Sequence, residues 1–182
     1  MGSWEMIRKR LRLADGRFVT FEDLREEDLL EVVQVLNSVI REGLYLLMEE
    51  EIVDMEMERQ WYHDHMKAGM TYLVARVDGE MVGGASIEPK RGRESHVVVY
   101  GIFIKEGFRN LGIGTQLTKA LIEIARQRGF KVMELSVFGS NQRAFQVYKK
   151  CGFQEAGKIK EGIRLPDGTY TDKIIMTLPL KE

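Results

Sequence analysis

The chain has 182 residues, of which 44% are hydrophobic and 30% charged, a composition typical of a single globular domain spanning residues 1–182. A formal net charge of −1 argues against a nucleic-acid-binding surface, and the single cysteine, Cys151, excludes an internal disulfide and a cysteine-rich metal cluster. Without a long apolar run or a signal-peptide core, the sequence predicts a cytoplasmic protein that binds no membrane.

The first half of the sequence predicts strands joined by tight turns. Asp15-Gly16 and Asp78-Gly79 are dipeptides that favour hairpin loops, and segments rich in apolar and β-branched residues flank both. The last three of these strands lack an intervening helix, which predicts an antiparallel meander. The expected strands cover residues 7–13, 17–21, 71–77, 81–87 and 95–104.

Two helices are expected between the hairpins. The first is amphipathic, begins after a cap at or beside Asp23 and ends at Gly43. The second is less regular, runs from about residue 49 to residue 67 and has an acidic flank. On it His63 and His65 lie two residues apart and point in different directions, so no metal site is expected.

The second half predicts a strand, helix and strand in succession. After the strand that ends at residue 104, a helix over 113–126 ends at Gly129, and a strand follows over 131–137. Such a crossover makes the two strands parallel. A short helix over 141–150 and strands over 153–160 and 170–178 complete the chain. The order predicts an α/β (α+β) fold: one mixed, mostly antiparallel sheet flanked by helices.

The turn before the helix at residue 113 carries the clearest chemical signal, an Arg-x-x-Gly-x-Gly motif. Backbone amides and the positive end of the helix dipole would form an anion site there, and two glycines would let a pyrophosphate approach. Thr115-Gln116 follows Gly114, which does not fit a P-loop, and Leu117 replaces the last small residue of a dinucleotide fingerprint. Alone, the motif leaves open a plain strand-to-helix connection. Its residues are Arg109, Asn110, Leu111, Gly112, Ile113, Gly114 and Thr115.

Two segments together resemble the GNAT superfamily of N-acetyltransferases. They are YGIFIKEGFRNLGIGTQL over 100–117 and LSVFGSNQRAFQVYKKCGF over 135–153. The resemblance implies a GNAT-like acyl-CoA N-acyltransferase fold, with acetyl-CoA as donor and CoA as product. It also implies that the Arg109 to Thr115 turn binds the pyrophosphate, that the backbone of Ile102, Phe103 and Ile104 pairs with the pantetheine arm, that Asn141 contacts the cofactor, and that Tyr148 lies near its sulfur.

The implied reaction is attack of a primary amine on the thioester in a ternary complex. A strand N–H without a ladder partner can stabilise the developing oxyanion, and a phenol can protonate the leaving thiolate, the general-acid role expected of Tyr148. An amine with a pKa of ~10.4 must also lose a proton, at a cost of roughly 4–5 kcal/mol at pH 7. Where many peptide-acetylating relatives carry a glutamate, this chain has Ser136, so Glu134 and His96 are the candidate bases.

The resemblance places the acceptor between residues 42–52 and residues 164–170. Glu42, Glu49, Glu50 and Glu51 favour a cationic acceptor such as a polyamine, an aminoglycoside-like base or a lysine-rich peptide. A protein N-terminus, or a donor other than acetyl-CoA, fits the same motifs, and a homodimer is left open. The missing carboxylate at Ser136 keeps a second hypothesis, an acyl-CoA-binding regulatory or sensor protein with little turnover.

Overall fold

The computed structural model describes residues 9–180, in which eight strands form one sheet of order β1-β2-β3-β4-β5-β6-β8-β7. Every neighbouring pair is antiparallel except β5 with β6. The predicted fold class is therefore confirmed; residues 7 and 8 of the first predicted strand lie outside the described residues. The strands are β1 Lys9–Arg12, β2 Phe18–Asp23, β3 Thr71–Val77, β4 Glu80–Pro89, β5 Val97–Ile104, β6 Val132–Phe138, β7 Gln154–Arg164 and β8 Tyr170–Pro179.

Helices cover both faces of the sheet. On one face α1 and α2 pack with Tyr72 and Phe103 into one buried cluster, and on the other α3 and α4 pack with Tyr100 and Phe153 into a larger one. Both clusters follow from apolar residues at helical spacing facing alternate strand residues. The helices are α1 Leu29–Ile40, α2 Met55–Lys67, α3 Ile113–Gln127 and α4 Gln142–Lys150. None of the described helices is long and apolar enough to cross a membrane.

Two helix starts differ from the prediction. A 3₁₀ turn, Glu26–Asp28, precedes α1, so the helix begins at Leu29 and Asp23 is instead the last residue of β2. The second helix begins at Met55, not near residue 49, because the Asp54 side chain accepts hydrogen bonds from the backbone N–H groups of Glu56 and Met57. Residues 41–54 therefore form a long connection between α1 and α2, and residues 49–54 are not part of the second helix.

The parallel strands β5 and β6 pair only at their beginnings. Val97, Val98 and Val99 lie opposite residues 132–134, and beyond Val99 no pairing between the two strands follows in the described residues. β5 continues against β4 to Ile104, while β6 continues against β8 to Phe138. The strands therefore diverge, and the backbone of residues 100–104 borders a gap in the sheet.

Candidate active site

A cavity of about 370 Å³ opens where β5 and β6 diverge. Its walls come from β5, the glycine turn, β6 and the start of α4. They include every predicted cofactor residue except Leu111 and Ile113, whose side chains pack against the core. These two residues leave only backbone groups for a ligand. The predicted residues that line the cavity are Ile102, Phe103, Ile104, Arg109, Asn110, Gly112, Gly114, Thr115, Asn141 and Tyr148.

The glycine turn has the conformation that an anion site requires. Asn110 and Gly112 have φ angles of 65° and 89°, in the left-handed region that favours glycine and tolerates asparagine. Gly112 is the N-cap of α3 and supplies no side-chain cap, so the first amides of the helix are left for another acceptor. A Cβ on Gly114 would lie 3.3 Å from Cδ1 of Ile104, so this residue brings the helix close to β5.

Tyr148 lies on the face of α4 that borders the cavity, and its ring packs among aromatic residues. The ring meets Tyr100 and Phe153 edge-on, with centroids 6.0 and 5.9 Å away. None of the described residues hydrogen-bonds its hydroxyl, and burial raises the pKa of the phenol well above its ordinary value. The side chain therefore stays protonated at neutral pH and can donate to a ligand. Asn141 caps α4 by accepting from the N–H of Ala144 at 3.2 Å, which orients the helix start toward the cavity.

A buried hydrogen-bonded chain that the sequence did not indicate lies behind Tyr148. The hydroxyls of Tyr100 and Thr118 are 2.8 Å apart, and Thr118 donates to the carbonyl oxygen of Gly114 at 2.7 Å. Because that donation uses the Thr118 proton, Tyr100 is the donor between the two hydroxyls. The chain connects the ring beside Tyr148 to the glycine turn. Thr118 carries no local signal, since it reads as one more residue of an amphipathic helix.

The candidate bases lie away from this cavity. Glu134 forms an ion pair with Lys90, 2.7 Å from Oε1 to Nζ, at the level where β5 and β6 are still joined through Val99. His96 precedes β5 at the opposite end from Ile104 and is exposed. Glu134 lies two residues before Ser136 on β6 and so on the same face of the strand, but β5 and β6 diverge only after Glu134. Ser136 itself lines the cavity.

Arg109 contacts protein groups rather than an open anion site. Its two terminal nitrogens bind both carboxylate oxygens of Glu42 at 2.7 and 2.6 Å, and its Nε donates to the carbonyl oxygen of Ile104 at 2.8 Å. The guanidinium also lies 4.5 Å from the ring centroid of Tyr45. Glu42 is therefore not the free acidic group that was expected, because it and Arg109 neutralise each other, whereas the cofactor-binding role of Arg109 stays a prediction.

The two segments expected to frame the acceptor do meet. They border a second cavity, of about 620 Å³, that shares Leu46, Leu47 and Phe138 with the first. Gly43 touches the turn between β7 and β8 so closely that a Cβ there would collide with Pro166. The two cavities are therefore neighbours that share part of their walls.

A buried asparagine, missed at the sequence level, holds the long connection in place. Asn37 on α1 donates from Nδ2 to the carbonyl oxygen of Ile52 at 2.8 Å, and its Oδ1 accepts from the Ile52 N–H at 2.9 Å. The side chain thus replaces a strand partner for the backbone of Ile52. The sequence gives little sign of this role, because Asn37 is one of several polar residues of the amphipathic helix α1.

Some of the charges around the second cavity are closely paired. Glu51 binds Arg41 at 2.6 Å, whereas Glu49 and Arg164 are 3.8 Å apart and both exposed. With Glu42 also paired, two of the four glutamates that favoured a polycation are neutralised. Within residues 9–180, no group of three or more histidine, cysteine, aspartate or glutamate residues could hold a metal ion.

Comparisons with known proteins agree with this geometry. A family model described as the acetyltransferase (GNAT) family matches residues 39–153. The L-amino acid N-acetyltransferase AaaT of Escherichia coli (strain K12) is 36% identical over 123 residues, 62% of this chain and 75% of that protein. The L-methionine sulfoximine/L-methionine sulfone acetyltransferase of Pseudomonas aeruginosa is 26% identical over 164 residues, 88% of this chain and 94% of that protein.

A solved structure shows the same fold. The crystal structure of a GNAT superfamily phosphinothricin acetyltransferase from Sinorhizobium meliloti in complex with AcCoA matches with a TM-score of 0.82 at 22% identity, over 90% of this chain and 89% of that one. The family model covers the diverging strands, the glycine turn and Tyr148. The chain is therefore an N-acetyltransferase that belongs to the acetyltransferase (GNAT) family.

Proposed function

We propose that this enzyme transfers the acetyl group of acetyl-CoA to the α-amine of a small amino-acid acceptor by direct attack in a ternary complex. The observation that carries the proposal is the continuous cavity in which the Gly112 turn, the backbone of residues 100–104 and the Tyr148 hydroxyl face one space. The donor would enter from the glycine turn. The acceptor would enter from the cavity beside Phe138.

Donor binding would rest mainly on backbone groups. The uncapped amides at the start of α3 suit a pyrophosphate, and the unpaired strand segment after Val99 suits the amides of a pantetheine arm. Arg143 lines the same cavity, and none of the described residues forms an ion pair with it, so it adds a cation that the sequence did not single out. Asn141, already engaged at the helix cap, would present its remaining amide donors to the same ligand.

Transfer would use groups that border the first cavity. An unprotonated amine attacks the thioester carbonyl, and a β5 backbone N–H facing the gap stabilises the oxygen that gains charge. The bond to sulfur then breaks, and Tyr148 donates its proton to the leaving thiolate. Its raised pKa keeps the phenol protonated at neutral pH, the form that a proton donor requires. Glu134 and His96 keep only the weaker role of distant groups acting through water.

Two observations favour an amino-acid acceptor. Relatives that match most of their length include proteins named for L-amino acids and for L-methionine sulfoximine or sulfone. In addition, Arg41 and Arg109 neutralise Glu51 and Glu42, which removes much of the attraction expected for a polyamine. A lysine-rich peptide and a protein N-terminus are the alternatives to be compared.

A thiol-release assay with acetyl-CoA tests the proposal. The acceptors are a panel of L-amino acids, spermidine, a lysine-rich peptide and peptides with free N-termini, and each product is identified by mass spectrometry. We expect turnover with amino acids and a product 42 Da heavier at the α-amine. Tight CoA binding by calorimetry without turnover on any acceptor would favour the sensor hypothesis, which the residue Ser136 in place of a carboxylate first suggested.

A further inference from the structure

We infer that the second cavity, where the acceptor is proposed to enter, selects α-amino acids with an apolar side chain and that Arg164 binds their carboxylate. This inference rests on the proposed function and adds the chemistry of the acceptor. It depends on the composition of the cavity wall, on the distance between Arg164 and its nearest carboxylate, and on the position of Arg164 relative to the first cavity.

Apolar groups make up somewhat more than half of the cavity wall, and part of this apolar surface is uncovered. Leu47 and Met48 on the 41–54 connection are 57% and 43% exposed, although both face the cavity. Covering this exposed apolar surface with a ligand side chain makes the free energy of binding more favourable. Phe138 and Ile163 form the opposite, buried side. An acceptor with an aliphatic, thioether or aromatic side chain therefore suits the space better than a charged one.

The two rim arginines differ in how far they are already engaged. Arg41 is held by Glu51 at 2.6 Å. Arg164 has Glu49 as its nearest carboxylate, at 3.8 Å, beyond the 2.7–2.9 Å of a charge-assisted hydrogen bond. The planar guanidinium of Arg164 thus keeps donors for a second carboxylate, which it can bind through two parallel hydrogen bonds. The same cation would repel a polyamine.

The position of Arg164 gives the acceptor a direction. It is the last residue of β7, and the turn after it is closed by hydrogen bonds between Leu165 and Thr169 and from the Gly168 N–H to Leu165. The first cavity adjoins this one at the shared residues Leu46 and Phe138. An amino acid whose carboxylate is bound by Arg164 and whose Cα lies beside Phe138 would direct its α-amine toward the first cavity, where the thioester is expected.

The test compares acceptors that differ only in the carboxylate. Thiol release is measured for L-leucine, L-leucinamide and 3-methylbutylamine with the wild type, Arg164→Gln, Arg164→Lys and the control Arg126→Gln. Arg126 is exposed on the last turn of α3 and borders neither cavity. We expect Arg164→Gln to lower kcat/KM for leucine by about tenfold and to change kcat/KM for leucinamide by less than about twofold. Arg164→Lys should restore part of the loss, and Arg126→Gln should match the wild type.

Several results would overturn the inference while leaving the transfer reaction intact. They are an equal loss of kcat/KM for leucine and leucinamide in Arg164→Gln, a wild-type preference for spermidine over leucine, and a lower KM for aspartate than for leucine. Failure of the proposed function is distinct, because the wild type would then release no thiol with any acceptor. Since each variant serves as its own reference across the acceptors, a partly unfolded preparation cannot imitate the expected pattern.

Discussion

Arg109 and Glu42, 67 residues apart in the chain, form a bidentate ion pair that joins the glycine turn to the 41–54 connection. Arg109 follows β5, whereas Glu42 lies two residues after the end of α1. Both side chains are about one-fifth exposed, and the hydrogen bond to Glu42 is the leading reason why the pKa of Arg109 is raised. This pair, together with the contact of Arg109 with the Tyr45 ring, therefore fixes the connection against the glycine turn.

Glu42→Gln tests this link. The substitution leaves the part-buried guanidinium of Arg109 without a charged partner, so we expect the free energy of unfolding to fall by about 1–2 kcal/mol. We also expect a higher KM for the acceptor and little change in CoA affinity. Urea unfolding and steady-state kinetics measure the two effects. The matched control is Glu51→Gln, which breaks an exposed pair with Arg41 and should cost less than about 0.5 kcal/mol. Equal stability losses would show that the Arg109 pair has no special role.

Gly43→Ala tests the contact between the acceptor-framing segments. Gly43 has a φ of 67°, and an added Cβ would collide with Pro166. Gly79→Ala is the control, because Gly79 has a φ of 87° and open space where its Cβ would stand. We expect Gly79→Ala to cost about 1 kcal/mol from backbone strain alone and Gly43→Ala to cost more and to raise the acceptor KM. Thermal unfolding and steady-state kinetics with the acceptor amine compare the two variants. Identical effects of Gly43→Ala and Gly79→Ala would mean that the turn at Pro166 shifts to make room for the added Cβ.

Tyr148→Phe tests the general acid. The ring and its packing against Tyr100 and Phe153 are kept, so CoA affinity by calorimetry should change by less than about twofold while kcat falls by about 10²-fold. Unchanged turnover would assign the proton to another donor.

The pH profile gives a second check on Tyr148. Burial disfavours the phenolate, so the folded enzyme keeps the acidic form above the ordinary tyrosine pKa of ~10. Wild-type kcat should rise as the acceptor amine deprotonates and then stay level through pH 10. A decline in kcat with an apparent pKa between about 9 and 10, without unfolding in circular dichroism, would contradict the assignment.

Gly112→Asp tests the anion site. A carboxylate at the N-cap of α3 would compete for the amides expected to bind a pyrophosphate, and we expect CoA binding to fall by at least about 100-fold. Gly129→Asp is the control: Gly129 also has a positive φ, 79°, with open space around its Cβ, but it follows the other end of α3. Calorimetric titration with CoA compares the two. Retained affinity in Gly112→Asp would refute the assignment.

Elements of the fold were predictable where the signal is local. The hairpins, the crossover between β5 and β6, the start of α3 at Ile113 and the short helix α4 each follow from patterns that are local in the sequence. The start of α2 was placed too early because acidic residues near 49 read as a helix start. The Asp54 side chain caps α2 and so fixes the first residue of this helix. The residues before Asp54 stay outside the helix because Asn37 binds the backbone of Ile52.

By itself, the sequence determined the family resemblance and the position of the glycine turn, and it predicted donor binding at that turn and Tyr148 as the acid to test. Those features depend on short spacings between residues that are close in the chain. The tertiary structure alone decided that Arg109 binds Glu42, that Glu134 binds Lys90 before the point where the strands diverge, and that Leu47 and Arg164 border one cavity. Side chains far apart in the chain meet only when the sheet and its connections are packed, because ion pairing and apolar burial act between neighbours in space.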